Sequence, residues 1–148
     1  MFDRILVVCV GNICRSPTAE FMLKAALPHK HISSAGLGAL VGHDMDKQAR
    51  AVAEHQGLYC PTHVARQLTR DLCHEADLIL VMEQRHREGV AQLCPEVRGK
   101  VFLLGHSKSS PNKSPDIADP YRKSDTFFES TYEQLHHACQ AWVKRLAS

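Results

Sequence analysis

Six apolar residues in succession, Ile5-Leu6-Val7-Val8-Cys9-Val10, stop at Gly11-Asn12 and are followed almost at once by Ser16-Pro17, and this junction constrains the fold more than any other part of the chain. A strand facing water on one side would alternate apolar and polar residues, so an unbroken run reads as a strand buried on both faces. Ser16-Pro17 reads as a helix start, with Ser16 as N-cap and Pro17 at the first helical position. Ala19, Met22, Leu23, Ala26 and Leu27 then form one apolar stripe that Pro28 ends. Strand, short loop and helix in that order open a parallel α/β fold, in which ligands bind where strands end and helices begin.

The same alternation continues. His31 to Ala35 reads as a short strand running into Gly36-Leu37-Gly38, and Asp46 caps a helix bearing Ala49, Val52 and Ala53 and stopped by Gly57. Asp77 to Met82 is a second buried strand, followed by a helical stretch from about Glu83 to Leu93 that Pro95 closes, and Lys100 to Leu104 is the last strand. Gly105 to Arg122, rich in Ser, Pro, Asn and Asp, is the longest loop, and loops of that length tend to carry function. Beyond Ser124, Phe128, Tyr132, Leu135, Cys139, Trp142 and Leu146 recur at steps of four and three and mark a long amphipathic helix. The expectation is a single domain over residues 1–148: an open parallel four-stranded sheet with helices on both faces and an anion-binding loop between the first strand and the first helix.

Charge and composition remove other function classes. Eighteen Lys and Arg against sixteen Asp and Glu give a formal +2, too weak a field for general attraction to nucleic acid or anionic lipid, so no nucleic-acid partner is expected. The longest apolar runs fall far short of the roughly 20 residues of a membrane span, which excludes membrane insertion through a helix. Met1-Phe2-Asp3-Arg4 lacks the pattern of a secretory signal, and a cytoplasmic location follows as the default. The six cysteines then read as reduced thiols. None are paired as Cys-x-x-Cys and the ten histidines form no helical metal motif, so neither a metal nor a cofactor is expected.

Between Cys9 and Pro17 the chain places a thiol at a strand's end, a five-residue loop of Val10, Gly11, Asn12, Ile13 and Cys14, then Arg15 and Ser16 at a helix N-terminus. Backbone N–H groups wrapped around one point, with the unpaired donors of a helix's first turn, bind a tetrahedral oxyanion. Gly11 and Asn12 suit the bend because both tolerate positive φ. A thiol at the floor of such a cradle acts as a nucleophile only when ionised, and a free cysteine is a few per cent thiolate at pH 7. A helix terminus supplies at most about 2 kcal/mol of the stabilisation required, so several N–H groups, the Ser16 hydroxyl and the Arg15 charge have to add to it. The planar fork of Arg15 also matches two oxygens of a phosphoryl group.

With these residues in view, the chain resembles the low-molecular-weight protein tyrosine phosphatases, whose Cys-x5-Arg-Ser loop sits at the same N-terminal position. Ser34-Ala35-Gly36, His63-Val64-Ala65-Arg66-Gln67, Asp77-Leu78-Ile79-Leu80 with Met82-Glu83, and Asp119-Pro120-Tyr121 look like further family blocks in the family's order. Cys9 to Pro17 and Ser34 to Gly42 look most like the bacterial branch associated with capsule and exopolysaccharide tyrosine kinases. The resemblance implies that Cys9 attacks phosphorus, Arg15 clamps the phosphate, Asn12 holds the loop in its strained shape, Ser16 hydrogen-bonds the thiolate and Asp119 is the general acid, with Asp116 its local rival. It also implies Leu40 and Tyr121 as cleft walls, Leu40 departing from the aromatic residue that animal members often carry. His63 and Arg66 are expected to be structural and Glu83 to support the loop. Cys14 is expected either to trap oxidised Cys9 as a disulfide or to fill the underside of the loop. The implied partner is a phosphotyrosine protein, foremost a tyrosine autokinase, met by a monomer.

Two rivals remain at this point. An arsenate reductase on a similar fold would need a resolving cysteine pair, which Cys73 and Cys94 do not match in sequence. A phosphocysteine carrier would pass phosphate on without hydrolysis, and Arg15 and Asp119 argue against it.

Overall fold

The computed structural model describes residues 2–107 and 114–147. Four strands, β1 (Arg4–Cys9), β2 (His31–Gly36), β3 (Leu78–Val81) and β4 (Val101–Leu103), form one sheet in the order β2-β1-β3-β4 with every pair parallel. The unbroken apolar run of β1 is explained by its central place. Ile5, Val7 and Cys9 pack into one core layer and Leu6 and Val8 into the other. Against the first layer lie helices α1 (Arg15–Ala26) and α5 (Asp125–Leu146), whose Met22, Leu23, Leu135 and Trp142 close it. The second layer is covered by α3 (Arg70–Glu75) and α4 (Gln84–Leu93) through Cys73 and Val90. Helix α2 (Lys47–His55) packs at the end of the first layer, with Ala49 and Ala53 beside Ile13, Cys14 and Phe128. The fold is therefore the expected open parallel sheet with helices on both faces.

Local signals account for most boundaries. The Asp46 carboxylate accepts from Gln48 N and Ala49 N at the start of α2, and Gly57 follows its end with φ 87°. Ser124 accepts from Phe127 N at the start of α5. Three readings need correction. Strand β1 ends at Cys9, so Val10 already belongs to the loop. Ser16 is not the N-cap of α1: the helix begins at Arg15, Cys14 holds the cap position without a side-chain bond, and Ser16 is released to point at Cys9. The short α3 and the 3₁₀ turns Pro95–Lys100 and Leu104–Ser107 were not read from the sequence, because six residues or fewer span too little of a period to declare themselves. Of the long loop expected over residues 105–122, positions 108–113 lie outside the described residues. No helix among the described residues is long and apolar enough to cross a membrane.

Candidate active site

The loop after β1 is held by its carbonyls. Those of Cys9, Val10, Gly11 and Ile13 accept from Leu37, Gly38, Leu40 and Asp46 N–H, and that of Asn12 meets His63 Nε2 at 2.7 Å. In a planar trans peptide the N–H points opposite to the carbonyl. With five carbonyls engaged outward, the N–H groups of Val10, Gly11, Asn12, Ile13 and Cys14 face the hollow of the loop. Segment 37–46 thus does for the cradle what no loop residue can do alone.

Asn12 is the keystone on the outer side. Its φ of 58° is left-handed, it is fully buried, and its amide donates to Ser16 Oγ at 2.7 Å and Ser34 Oγ at 2.9 Å while accepting from Arg66 N at 3.0 Å. Ser34 in turn donates to Glu20, and Arg66 Nε donates to the Ser34 carbonyl at 2.8 Å. Gly36 is demanded by closeness: a Cβ there would stand 2.2 Å from the Val10 carbonyl oxygen. The Ser34-Ala35-Gly36 and His63 to Gln67 blocks are accordingly a brace for the loop, and His63 and Arg66 act on it from behind.

Cys9 lies buried at the C-terminal end of β1 with Sγ 2.9 Å from Ser16 Oγ. Arg15, 1% exposed, is split in function. Its Nη1 donates to Glu83 Oε2 at 2.5 Å and to the Ile117 carbonyl at 2.7 Å. Its Nε is buried with no partner among the described residues, and Nη2 stands 3.9 Å from Asp119 Oδ2. One edge of the guanidinium is anchored, and the other keeps its donors for something the protein does not supply. Glu83 has its carboxyl held below the usual range against the opposing effect of burial, by hydrogen bonds from Arg15 and Arg85. His86 accepts from Glu83 N–H at Nδ1, and burial and the Arg15 charge lower its pKa to about 4, so it stays neutral.

The loop carrying Asp119 is stapled to the sheet by Ile117 N–H on the Met82 carbonyl and by Arg15 on the Ile117 carbonyl. Asp119 Oδ1 accepts from Tyr121 N at 3.1 Å, and its side chain is 44% exposed. Asp116, the rival acid, accepts from Gln84 N at 2.9 Å at the start of α4 instead. A cleft of about 200 Å³ is lined by Cys9, Val10, Gly11, Ile13, Cys14, Arg15, Gly38, Leu40, Asp119 and Tyr121. Nine of the eleven expected site residues line it, while the buried Asn12 and Ser16 stand behind the wall. Gly38 was not anticipated, and its N–H bond to Val10 is the signal that places it there. Larger clefts of about 990 Å³ against α5 and about 420 Å³ beside β2 contain no such loop. Cys14 is buried, and desolvation, reinforced by Asp46 and Asp119, pushes its thiol up, so it remains protonated.

A buried cysteine inside a loop of inward N–H groups, with a half-committed arginine on the C-terminal side of a parallel sheet, defines a cysteine-dependent protein for tetrahedral oxyanions. Comparison with known proteins narrows the class: residues 4–148 match the family described as low molecular weight phosphotyrosine protein phosphatase. The chain belongs to that family and is an enzyme of the protein-tyrosine-phosphatase class. It is 51% identical over 147 residues to the probable low molecular weight protein-tyrosine-phosphatase AmsI of Erwinia amylovora, covering 99% of each chain. To the phosphatase Wzb of Escherichia coli K12 it is 49% identical over 146 residues, covering 99% of this chain and 97% of Wzb. The crystal structure of Wzb from Escherichia coli K30 in complex with sulphate superposes with a TM-score of 0.93 at 47% identity, covering 99% of each chain.

Proposed function

We propose that this tyrosine phosphatase works through Cys9, Arg15 and Asp119 by a two-step exchange. Cys9 Sγ attacks phosphorus from the floor of the cradle while the bond to the tyrosine oxygen breaks, and Asp119 hands its proton to that departing oxygen. A water then gives a proton to the Asp119 carboxylate and attacks the phosphocysteine. The P–S bond breaks, inorganic phosphate leaves, and the thiolate returns. Arg15 Nε and Nη2 take two phosphoryl oxygens and the loop N–H groups the remainder, strengthening as charge spreads over the equatorial oxygens. No metal or cofactor enters any step.

The observation that carries this reading is the divided arginine: Nη1 spent on Glu83 and Ile117, Nε buried without a partner among the described residues, in a residue that lines the same cleft as Cys9. Leu40 and Tyr121, 39% and 37% exposed at the mouth, fit a flat aromatic ring entering above the phosphate. The engagement of Asp116 at α4 supports Asp119 as the acid. The physiological substrate we propose is a phosphotyrosine protein, a bacterial tyrosine autokinase of polysaccharide export. This rests on the similarity to AmsI and Wzb and on the bacterial wording of the loop. The enzyme is proposed to act as a single-domain monomer in the cytoplasm.

The arsenate-reductase reading needs a thiol relay from Cys9. The structure places Cys73 and Cys94 in one buried cluster, which their sequence positions did not reveal, but they precede β3 and β4 whereas Cys9 follows β1. In a parallel sheet those are opposite ends. Wild-type and Cys9→Ser protein incubated with a phosphotyrosine peptide and a phosphoserine control, with released phosphate measured, test the proposal. Release from phosphotyrosine by the wild type alone is expected, and equal release from phosphoserine, or release by Cys9→Ser, would defeat it.

A further inference from the structure

At the N-terminal edge of the sheet, remote from the cradle, His74 at the end of α3 meets Cys94 and Glu96 at the turn into the 3₁₀ segment before β4. One ligand atom from each, an imidazole nitrogen, a thiol sulfur and a carboxylate oxygen, all lie within 4.8 Å of one another. We propose that His74, Cys94 and Glu96 bind a divalent transition metal of the zinc type, with water in a fourth position.

Two of the three separations are close to the edges of a coordination tetrahedron, and the third, Cys94 to Glu96, lies within 4.8 Å. Donors at about 2.3 Å (sulfur) and about 2.05 Å (nitrogen) from a tetrahedral centre lie about 3.5 Å apart, and a nitrogen and oxygen pair about 3.3 Å. Here Cys94 Sγ is 3.5 Å from His74 Nε2, and His74 Nε2 is 3.0 Å from Glu96 Oε2. The His74 to Glu96 edge therefore needs to open by a few tenths of an ångström. Thiolate and imidazole together select zinc-like ions over magnesium or calcium. Metal entry displaces one proton, that of the Cys94 thiol. Neutral His74 keeps its single ring proton, moved to Nδ1, so that Nε2 presents its lone pair. Cys94 is buried but His74 and Glu96 are half exposed, which leaves a path from solvent.

The surroundings hold the donors in place. The fully buried Cys73 and Cys94 share one core cluster, which fixes the Cys94 side chain from behind. Arg70 donates to the Leu93 carbonyl at 2.8 Å and to Glu96 Oε2, orienting the carboxylate as the outer partners of metal ligands do, and Lys100 donates to the His74 carbonyl at 3.3 Å. Arg70 and Lys100 oppose a cation electrostatically, and the two negative ligands offset them. The site ties α3 to the turn before β4, two segments otherwise joined by Arg70 and Lys100. Its role is to brace the sheet edge, separate from catalysis.

Cobalt(II) titration of Cys9→Ser protein, which removes the reactive thiol of the cradle as a competing ligand, tests the site. One equivalent is expected to produce a thiolate-to-cobalt charge-transfer band that zinc abolishes, with Tm rising with cobalt concentration. Outer partners of metal ligands alone are worth roughly 10-fold in affinity, so Cys94→Ser, His74→Ala and the exposed, fold-neutral Glu96→Gln should each weaken binding by at least about 10-fold. Absence of the band in Cys9→Ser protein, or a band unchanged in Glu96→Gln and His74→Ala, would overturn the assignment.

Discussion

Gly36→Ala is a substitution outside the reacting groups that should disable them. The added Cβ would stand 2.2 Å from the Val10 carbonyl oxygen, which is backbone and cannot rotate away like a side-chain tip. Ordinary contact needs more than 3 Å, so the Val10–Gly11 peptide has to move by about 1 Å. That peptide carries the Gly11 N–H into the cradle, and its carbonyl is already tied to Gly38 N at 3.0 Å. Displacing a reacting array by about 1 Å costs about 10²-fold, and losing one donor to a developing oxyanion costs 10²–10³-fold. A fall in kcat/KM of about 10²-fold, about 2.7 kcal/mol of transition-state stabilisation, is therefore expected with an aryl phosphate. Inhibition by inorganic phosphate should weaken alongside it, because the cradle binds product with the same N–H groups, while circular dichroism stays native. A folded Gly36→Ala enzyme within 3-fold of wild type would refute the claim that the brace from β2 shapes the loop.

Asn12→Ala removes two donated and one accepted hydrogen bond and leaves a left-handed φ on a residue that resists it. At about 1 kcal/mol per bond and about 1 kcal/mol for the backbone, a loss of about 3–4 kcal/mol is expected in urea unfolding, with Asn12→Gly recovering about 1 kcal/mol; equal loss in both would remove the strain argument. Asp119→Ala should slow aryl phosphates with poor leaving groups far more than good ones, and an even loss across a leaving-group series would strip Asp119 of the acid role. Folded His86 titrates at about 4, depressed by burial and then by Arg15, whereas the unfolded residue titrates near 6.5. The unfolded chain thus binds the proton first, and the His86 contribution is complete above about pH 6.5 and lost as pH falls toward 4. The loss amounts to about 2 kcal/mol between pH 8 and 5, and unfolding midpoints of His86→Gln should fall less steeply over that range; parallel profiles would contradict a neutral buried His86.

The fold was legible where residues declare their own environment. The run Ile5 to Val10 announced a strand covered on both sides, and the stripe from Phe128 to Leu146 announced α5, because both patterns are local and longer than one period. The phosphate loop was legible for the same reason: thiol, bend, guanidinium and helix start fall within nine residues. What stayed hidden depends on long-range contact. Ser16 looks like a cap by its neighbour Pro17, yet a buried Cys9 and Asn12 claim its hydroxyl. Asp119 and Asp116 are alike in sequence, and the Ile117 backbone bonds to Met82 and Arg15 separate their surroundings. His74, Cys94 and Glu96 carry no spacing motif because their meeting depends on α3 and the 3₁₀ turn lying side by side.

The central claim concerns where the phosphoryl group rests between the two steps. Rapid acid quench of wild-type enzyme during turnover of an aryl phosphate, followed by peptide mass analysis, reads it directly. One phosphoryl group on the peptide containing Cys9, absent from Cys9→Ser, is the predicted result. A phosphoryl group on any other residue, or full turnover by Cys9→Ser, would contradict it.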